Sequence, residues 1–172
     1  MKNYLAGLLL ILVIISCTTK KENETQVVSN DYFSKPIGIS DKRQYHITVS
    51  DTLMKNLEMR LKENFGLPDS VSFSKFEIIK TATEGDAPED CYLLVTHTSI
   101  DPSTLALILE NKDDKFYFST FTRNKTLVSQ VIMCKGDMAT GCGPTVLSLD
   151  KQKRLICLPN SDCEKIISEV AW

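Results

Sequence analysis

The chain has 172 residues, 20 Lys plus Arg against 22 Asp plus Glu for a formal charge of −2, and 42% apolar residues. So small and mixed a charge carries no electrostatic footprint for nucleic acid and excludes the classes that bind it. The length suits a single domain with one core.

The chain opens with one charge, Lys2, followed by an apolar run over residues 5–15, then Ser16 and Cys17. As a helix that run would rise about 16 Å, half of a hydrocarbon core of ~30 Å, so it is too short to cross a membrane and has the size of a signal segment. The motif Ile14-Ile15-Ser16-Cys17 resembles the lipobox of bacterial lipoprotein precursors, in which a branched apolar residue and a small residue precede the cysteine. The resemblance covers only this first tenth of the chain. It implies that residues 1–16 are a signal peptide removed just before Cys17, that the Cys17 thiol carries diacylglycerol, and that the new amino group receives a fatty acyl chain such as palmitate. Each buried methylene contributes ~0.8 kcal/mol, so two or three chains hold a protein durably on a bilayer surface. Without residues 1–16, and so without Lys2, the formal charge is about −3, and the membrane contact is expected to come from the lipid.

Residues 17–30 hold no large apolar side chain before Val27. Such a stretch cannot repay its ordering entropy by burial and is expected to be a flexible tether. Thr18, not Asp, follows Cys17; by the sorting rule of the lipoproteins this implies the outer membrane of the cell envelope. Lys20-Lys21-Glu22 resembles the short cluster that exports some lipoproteins to the cell surface, and a solvated linker is the preferred reading. The choice between periplasmic and surface face stays open.

A single domain is expected over residues 31–172. Tyr45, Ile47 and Val49 alternate with polar residues, the period of a half-buried strand. Leu53, Leu57 and Leu61, with Met54 and Phe65, share one helical face; Ser50 or Asp51 can cap the start, and Gly66 before Pro68 stops the end. That helix is expected to dock on the domain's own sheet. Residues 71–83 read as a strand, 84–90 as a turn and 91–98 as a second strand. Leu105, Leu107 and Leu109 lead through residues 111–115 into Phe116-Tyr117-Phe118 as a hairpin, although Asp101 and Pro102 could instead begin a short helix. Another strand is expected over 127–134, and strands joined by such short turns must be antiparallel.

The part spanning residues 134–163 is cysteine-rich. Cys134, Cys142, Cys157 and Cys163 are separated by seven, fourteen and five residues, with Gly136, Gly141, Gly143 and Pro144 among them. Residues 145–149 and 154–158 read as two strands around a turn. Ser161 and Glu164 have capping-box spacing, and Ile166, Ile167 and Val170 form an apolar stripe, so a short C-terminal helix is expected. Outside the cytoplasm thiols are oxidised, which makes disulfides the leading account of these four cysteines. Three pairings are open, or fifteen with Cys91 included. Local pairing, Cys134 with Cys142 and Cys157 with Cys163, would stabilise by ~2 to 3 kcal/mol per loop. Cys91 is then a free thiol, read as a small buried hydrophobe before it is read as reactive.

No two cysteines lie two to four residues apart, as zinc and iron–sulfur sites prefer, so no metal and no cofactor is expected. Cys142-Gly143-Pro144-Thr145 resembles the thioredoxin active-site turn over three residues, with Thr145 where the second cysteine should stand. The loss of that resolving thiol makes a thiol redox enzyme centred on Cys142 the alternative reading. No nucleophile elbow, zincin motif or phosphate loop is present. Cysteine hydrolysis would need Cys91 or Cys142 to meet His46 or His97 in space. Asp51-Thr52-Leu53 and Asp69-Ser70-Val71 resemble the acceptor of one bacterial O-glycosylation system, which would modify Thr52 and Ser70; both also suit a helix start and a turn.

The expectation is an α+β domain: an antiparallel meander with one packed N-terminal helix and a disulfide-stapled end carrying a short C-terminal helix. A helix followed by a meander is similar to the cystatin-like order of elements, which implies nothing about function. The expected protein is a lipid-anchored, non-enzymatic module of the cell envelope that contacts the membrane through its lipid and binds an envelope protein, a glycan or a small ligand.

Overall fold

The computed structural model describes residues 34–85, 88–99, 103–136, 142–150, 152–158 and 163–171. Cys17, the signal peptide and the tether over 17–30 lie outside the described residues, as do Asp101, Pro102 and Ser161. The described chain runs β1 (Gly38–Asp41), β2 (Gln44–Ile47), α1 (Asp51–Phe65), β3 (Glu77–Ala82), β4 (Glu84–Gly85), β5 (Asp90–His97), β6 (Ser103–Lys112), β7 (Lys115–Phe118), β8 (Phe121–Arg123), β9 (Thr126–Lys135), β10 (Gly143–Leu149), β11 (Gln152–Leu158) and β12 (Glu164–Ala171).

Helix α1 begins and ends where local chemistry requires. The Ser50 Oγ accepts from the Leu53 N–H at 3.4 Å, and Gly66 turns the chain out at φ 60°, so that the Leu67 N–H reaches the Lys62 carbonyl at 2.9 Å. Three hairpins, β1–β2, β6–β7 and β8–β9, turn through two residues that both have positive φ: Lys42 and Arg43, Asp113 and Asp114, Asn124 and Lys125. That geometry matches the right-handed twist of the paired strands. Asp and Asn tolerate it, whereas Lys42-Arg43 carries no turn signal, and β1 therefore goes unseen in the sequence.

Strand β6 is the centre of the fold. One edge pairs with β5, which in turn pairs with β3. The other edge is shared, with β9 paired along Ser103–Leu107 and β7 along Leu109–Lys112. The sheet forks between them at Ile108, whose carbonyl accepts from the Ser119 N–H at 2.9 Å. One branch continues through β9 to β12 and the other through β7 and β1 to β2. All pairs of this nine-stranded sheet are antiparallel.

Both faces of that sheet are covered. Leu94, Leu105, Leu107, Leu109, Val131 and Met133 face α1 and pack on Leu57 and Leu61. Tyr45, Tyr92 and Phe116 close this side, Tyr45 edge to face with each of the other two and Tyr92 tilted against Phe116, with ring centroids 4.9 to 5.6 Å apart. The alternate residues Leu93, Val95, Ala106, Ile108, Ile132 and Cys134 pack on Val146 and Leu155 of the β10–β11 hairpin. Residues 103–109 are consequently all buried, and the molecule has three layers: helix, large sheet, small sheet.

The molecule is sheet-rich with one described helix and two disulfides, a coarse α+β match to expectation. Three particulars differ, and a fourth, the cysteine pairing left open above, is decided. The C-terminal segment is strand β12, not a helix: it pairs with β9 over eight residues, and Ile166 and Val170 reach the helical side of the core at a strand period of two. An open neighbouring strand outweighs a weak local helix pattern. The strand expected over 71–83 is confined to Glu77–Ala82, with one isolated bridge between Phe73 and Thr98. The turn over 84–90 contains β4, which joins β10 in parallel and extends the small sheet. The disulfides are not the local ones. Cys134 of β9 bonds Cys157 of β11, and Cys142 before β10 bonds Cys163 before β12, with Cα separations of 5.7 and 5.6 Å.

Candidate functional site

Laterally paired residues in a sheet share a face, so the ladder itself assembles a site. His97 of β5 lies opposite Thr104 of β6, and Thr104 opposite Cys134 of β9. One row along, Glu77 of β3 lies opposite Val95, and further on Ile79 lies opposite Leu93. All of these face the small sheet. The Cys134–Cys157 bond pins the hairpin over one end of the His97–Thr104 row, and Pro144 is paired with Cys157 across that hairpin. The start of β10 thereby becomes a lip above the edge of the large sheet. Beneath the lip runs an open groove of about 560 Å³ lined by Ser74, Lys75, Glu77, Ile79, Val95, His97, Thr104, Gly143 and Pro144.

Its polar groups are held in place. The His97 Nδ1 and the Thr104 Oγ1 are 3.0 Å apart, the His97 N–H donates to the Ser74 Oγ at 2.9 Å, and the Ser74 N–H donates to the His97 carbonyl at 2.8 Å. Thr96, on the opposite face, donates its hydroxyl to the Ser74 carbonyl at 2.9 Å. Ser74 is thus fixed although it stands outside the strands. Lys75 and Glu77 are exposed and flank the groove with opposite charges, while Ile79, Val95 and Pro144 supply an apolar floor and wall. A second cleft of about 360 Å³ lies on the other side of Lys75 and Glu77, between Tyr45-His46-Ile47 of β2 and Phe76 and Ile78. Fixed donors and acceptors beside an apolar floor are suited to ligand recognition.

The cysteines do not meet the histidines. Cys142 is buried and bonded to Cys163, with its Sγ 3.4 Å from the Lys135 carbonyl. The residues after Cys142 form strand β10, whereas a thioredoxin-like turn leads into a helix. Cys91 is a buried free thiol in the layer between the sheets, and it shares strand β5 with His97 six residues on, which at ~3.3 Å per residue is roughly 20 Å away. Burial pushes the Cys91 thiol pKa up, and Lys153 opposes this only in part. A thiol so placed is a poor nucleophile. His46 is exposed on β2. Thr52, in the first turn of α1, and Ser70, in the turn after it, are both exposed.

Among the described residues no group of three or more His, Cys, Asp or Glu side chains is gathered as a metal would need, and no helix is long and apolar enough to cross a membrane. Sequence reasoning took His97 only as a possible partner for a cysteine, read Pro144 only as part of a thioredoxin-like turn, and passed over Ser74 and Thr104. Ser74 precedes β3 outside any strand, and nothing local announces that the β10 hairpin folds back over β5. No protein family matches this chain, and no characterised protein or solved structure does either.

Proposed function

We propose that this chain is a lipid-anchored lipoprotein of the cell envelope, tethered through Cys17 to the outer membrane, whose domain is a non-catalytic binding module. The groove beneath the Gly143-Pro144 lip carries this reading: a rigid, half-apolar recess with ordered polar groups and no assembled nucleophile and base. Two disulfides fit an oxidising compartment, which supports export independently of the lipobox. The ligand class is a protein segment or glycan of the envelope, or a small molecule that presents polar groups to His97, Thr104 and Ser74 and an apolar portion to Ile79, Val95 and Pro144. A thiol redox role at Cys142 is less well supported, because that sulfur is buried in a bond that pins the small sheet.

Gly143 offers the test. A Cβ built there meets nothing within 4 Å, so a side chain can be added at this lining position from open space. Full-length wild-type protein is expected to retain an envelope protein or glycan that Gly143→Trp does not. Equal retention by both would sink the groove as the binding site. Separately, Cys17→Ser is expected to abolish fatty-acid labelling and release the protein from membranes; a variant still labelled and still membrane-bound would sink the anchor.

A further inference from the structure

The large sheet ends on strand β12, and its outer edge is unlike the other edges. β12 is eight residues long, paired in continuous register with β9 without a bulge, and contains neither proline nor glycine. Edges of this kind template pairing with another chain unless they are blunted. The other edges are short, lie against a neighbour or carry one sign of charge: β2 has four residues and lies against β3, and β11 begins with exposed Gln152, Lys153 and Arg154, whereas the charges of β12, Glu164, Lys165 and Glu169, are of both signs. Among the described residues, no strand pairs with the free side of β12, although the Arg60 Nη1 of α1 donates to the Ala171 carbonyl at its last residue at 2.6 Å.

We propose that β12 is a self-pairing edge that joins two copies of this chain, antiparallel and two-fold symmetric, into one continuous sheet. The occupant is read from the sequence of the strand. Lys165, Ile167 and Glu169 share one face, opposite Cys134, Ile132 and Gln130 of β9. A two-fold axis at Ile167 sets that residue against its own copy and Lys165 against Glu169 of the second copy, twice by symmetry. Ile167 is 44% exposed, an unusual state for an isoleucine in the middle of a strand, and the pairing would cover it. The two ion pairs flank this apolar contact, an arrangement that self-selects antiparallel register. Within one copy, Arg123 already holds Glu169, with its Nη1 2.6 Å from Oε2. Arg123 belongs to β8, across β9 from β12, so Lys165 of the second copy would share this carboxylate with it. Pairing at β12 leaves the groove, which lies at the β3–β5 end of the large sheet, accessible, and the proposal does not depend on what the groove binds.

The test uses two differently tagged full-length copies made in one cell, with recovery of one tag through the other. Wild type with wild type should co-purify. Lys165→Glu with itself and Glu169→Lys with itself each set two like charges opposite one another, and recovery should fall by about tenfold or more. Lys165→Glu mixed with Glu169→Lys restores both ion pairs, and recovery should return to that of wild type. Lys165 is exposed and Glu169 is half-buried against Arg123, so far-UV circular dichroism and the unfolding midpoint of each variant check that the fold is kept. Any other pattern, including no recovery for wild type or equal recovery throughout, overturns the proposal.

Discussion

Cys134 of β9 and Cys157 of β11 are bonded across the space between the two sheets, on the same lateral row that carries Thr104 and His97. One covalent bond thus fixes both the packing of the small sheet and the height of the groove's lip. Stability and the shape of the groove are coupled at this point.

Replacing both residues, Cys134→Ser with Cys157→Ser, opens a loop with a sequence separation of 23. In the chain-entropy model that lowers stability by about 3 kcal/mol. Chemical denaturation should show this loss. Ligand retention by the groove should fall further than the lost stability alone predicts, because Pro144 no longer has a fixed position.

Gly38 and Gly143 should respond in opposite ways to the same methyl group. A Cβ at Gly38, the buried end of β1, would lie 2.5 Å from the His46 carbonyl oxygen and 2.6 Å from the Ile78 Cδ1, and the first of these is backbone that cannot swing aside. Gly38→Ala is expected to destabilise by roughly 1 to 3 kcal/mol, and Gly143→Ala to be near neutral. Urea midpoints of the two variants check the contrast.

Leu107 is fully buried at the middle of β6, against α1. Leu107→Ala should cost about 2 to 5 kcal/mol, the range for cavities in a core that cannot collapse. Ser50→Ala removes only the helix cap and should cost about 1 kcal/mol. Thermal or denaturant unfolding of the pair should rank them in that order.

Cys91 predicts a pH dependence with a definite sign. Burial favours the neutral thiol and raises its folded pKa above the ordinary value of 9.0. The stability this represents is complete below the unfolded pKa and is lost as pH rises through it, because the unfolded chain then releases a proton that the folded chain keeps. Unfolding midpoints should therefore fall from about pH 8.5 upward, and less steeply in Cys91→Ala. The Lys80 ammonium, held above its ordinary pKa chiefly by its hydrogen bond to Asp90, acts in the same direction in both proteins, so the difference between them isolates the thiol. Native protein should also resist thiol alkylation at Cys91 until it unfolds.

The elements legible in the sequence are those whose causes are local. Helix α1 could be bounded to within a residue, with Ser50 or Asp51 at its start and Gly66 at its end, because such caps act within one turn of the helix ends. The β6–β7 and β10–β11 hairpins were legible because each turn lies between two apolar runs in the same dozen residues. The order of five cysteines and their spacing implied disulfides, but not which sulfur meets which.

Only the tertiary structure decided the rest, and in each case the deciding contact comes from far along the chain. Residues 164–171 carry a stripe that a helix or a strand could use, and the open edge of β9 makes it β12. Cys134 pairs with Cys157 because the β10–β11 hairpin lies flat on the large sheet, a layer that alternating apolar residues on β6 permit but do not announce. The groove exists for the same reason: Ser74, His97, Thr104 and Pro144 are scattered over seventy positions, and it is the sheet register and one disulfide that make them neighbours. Local propensity acts over a few residues, whereas burial of both faces of a sheet is a property of the whole chain.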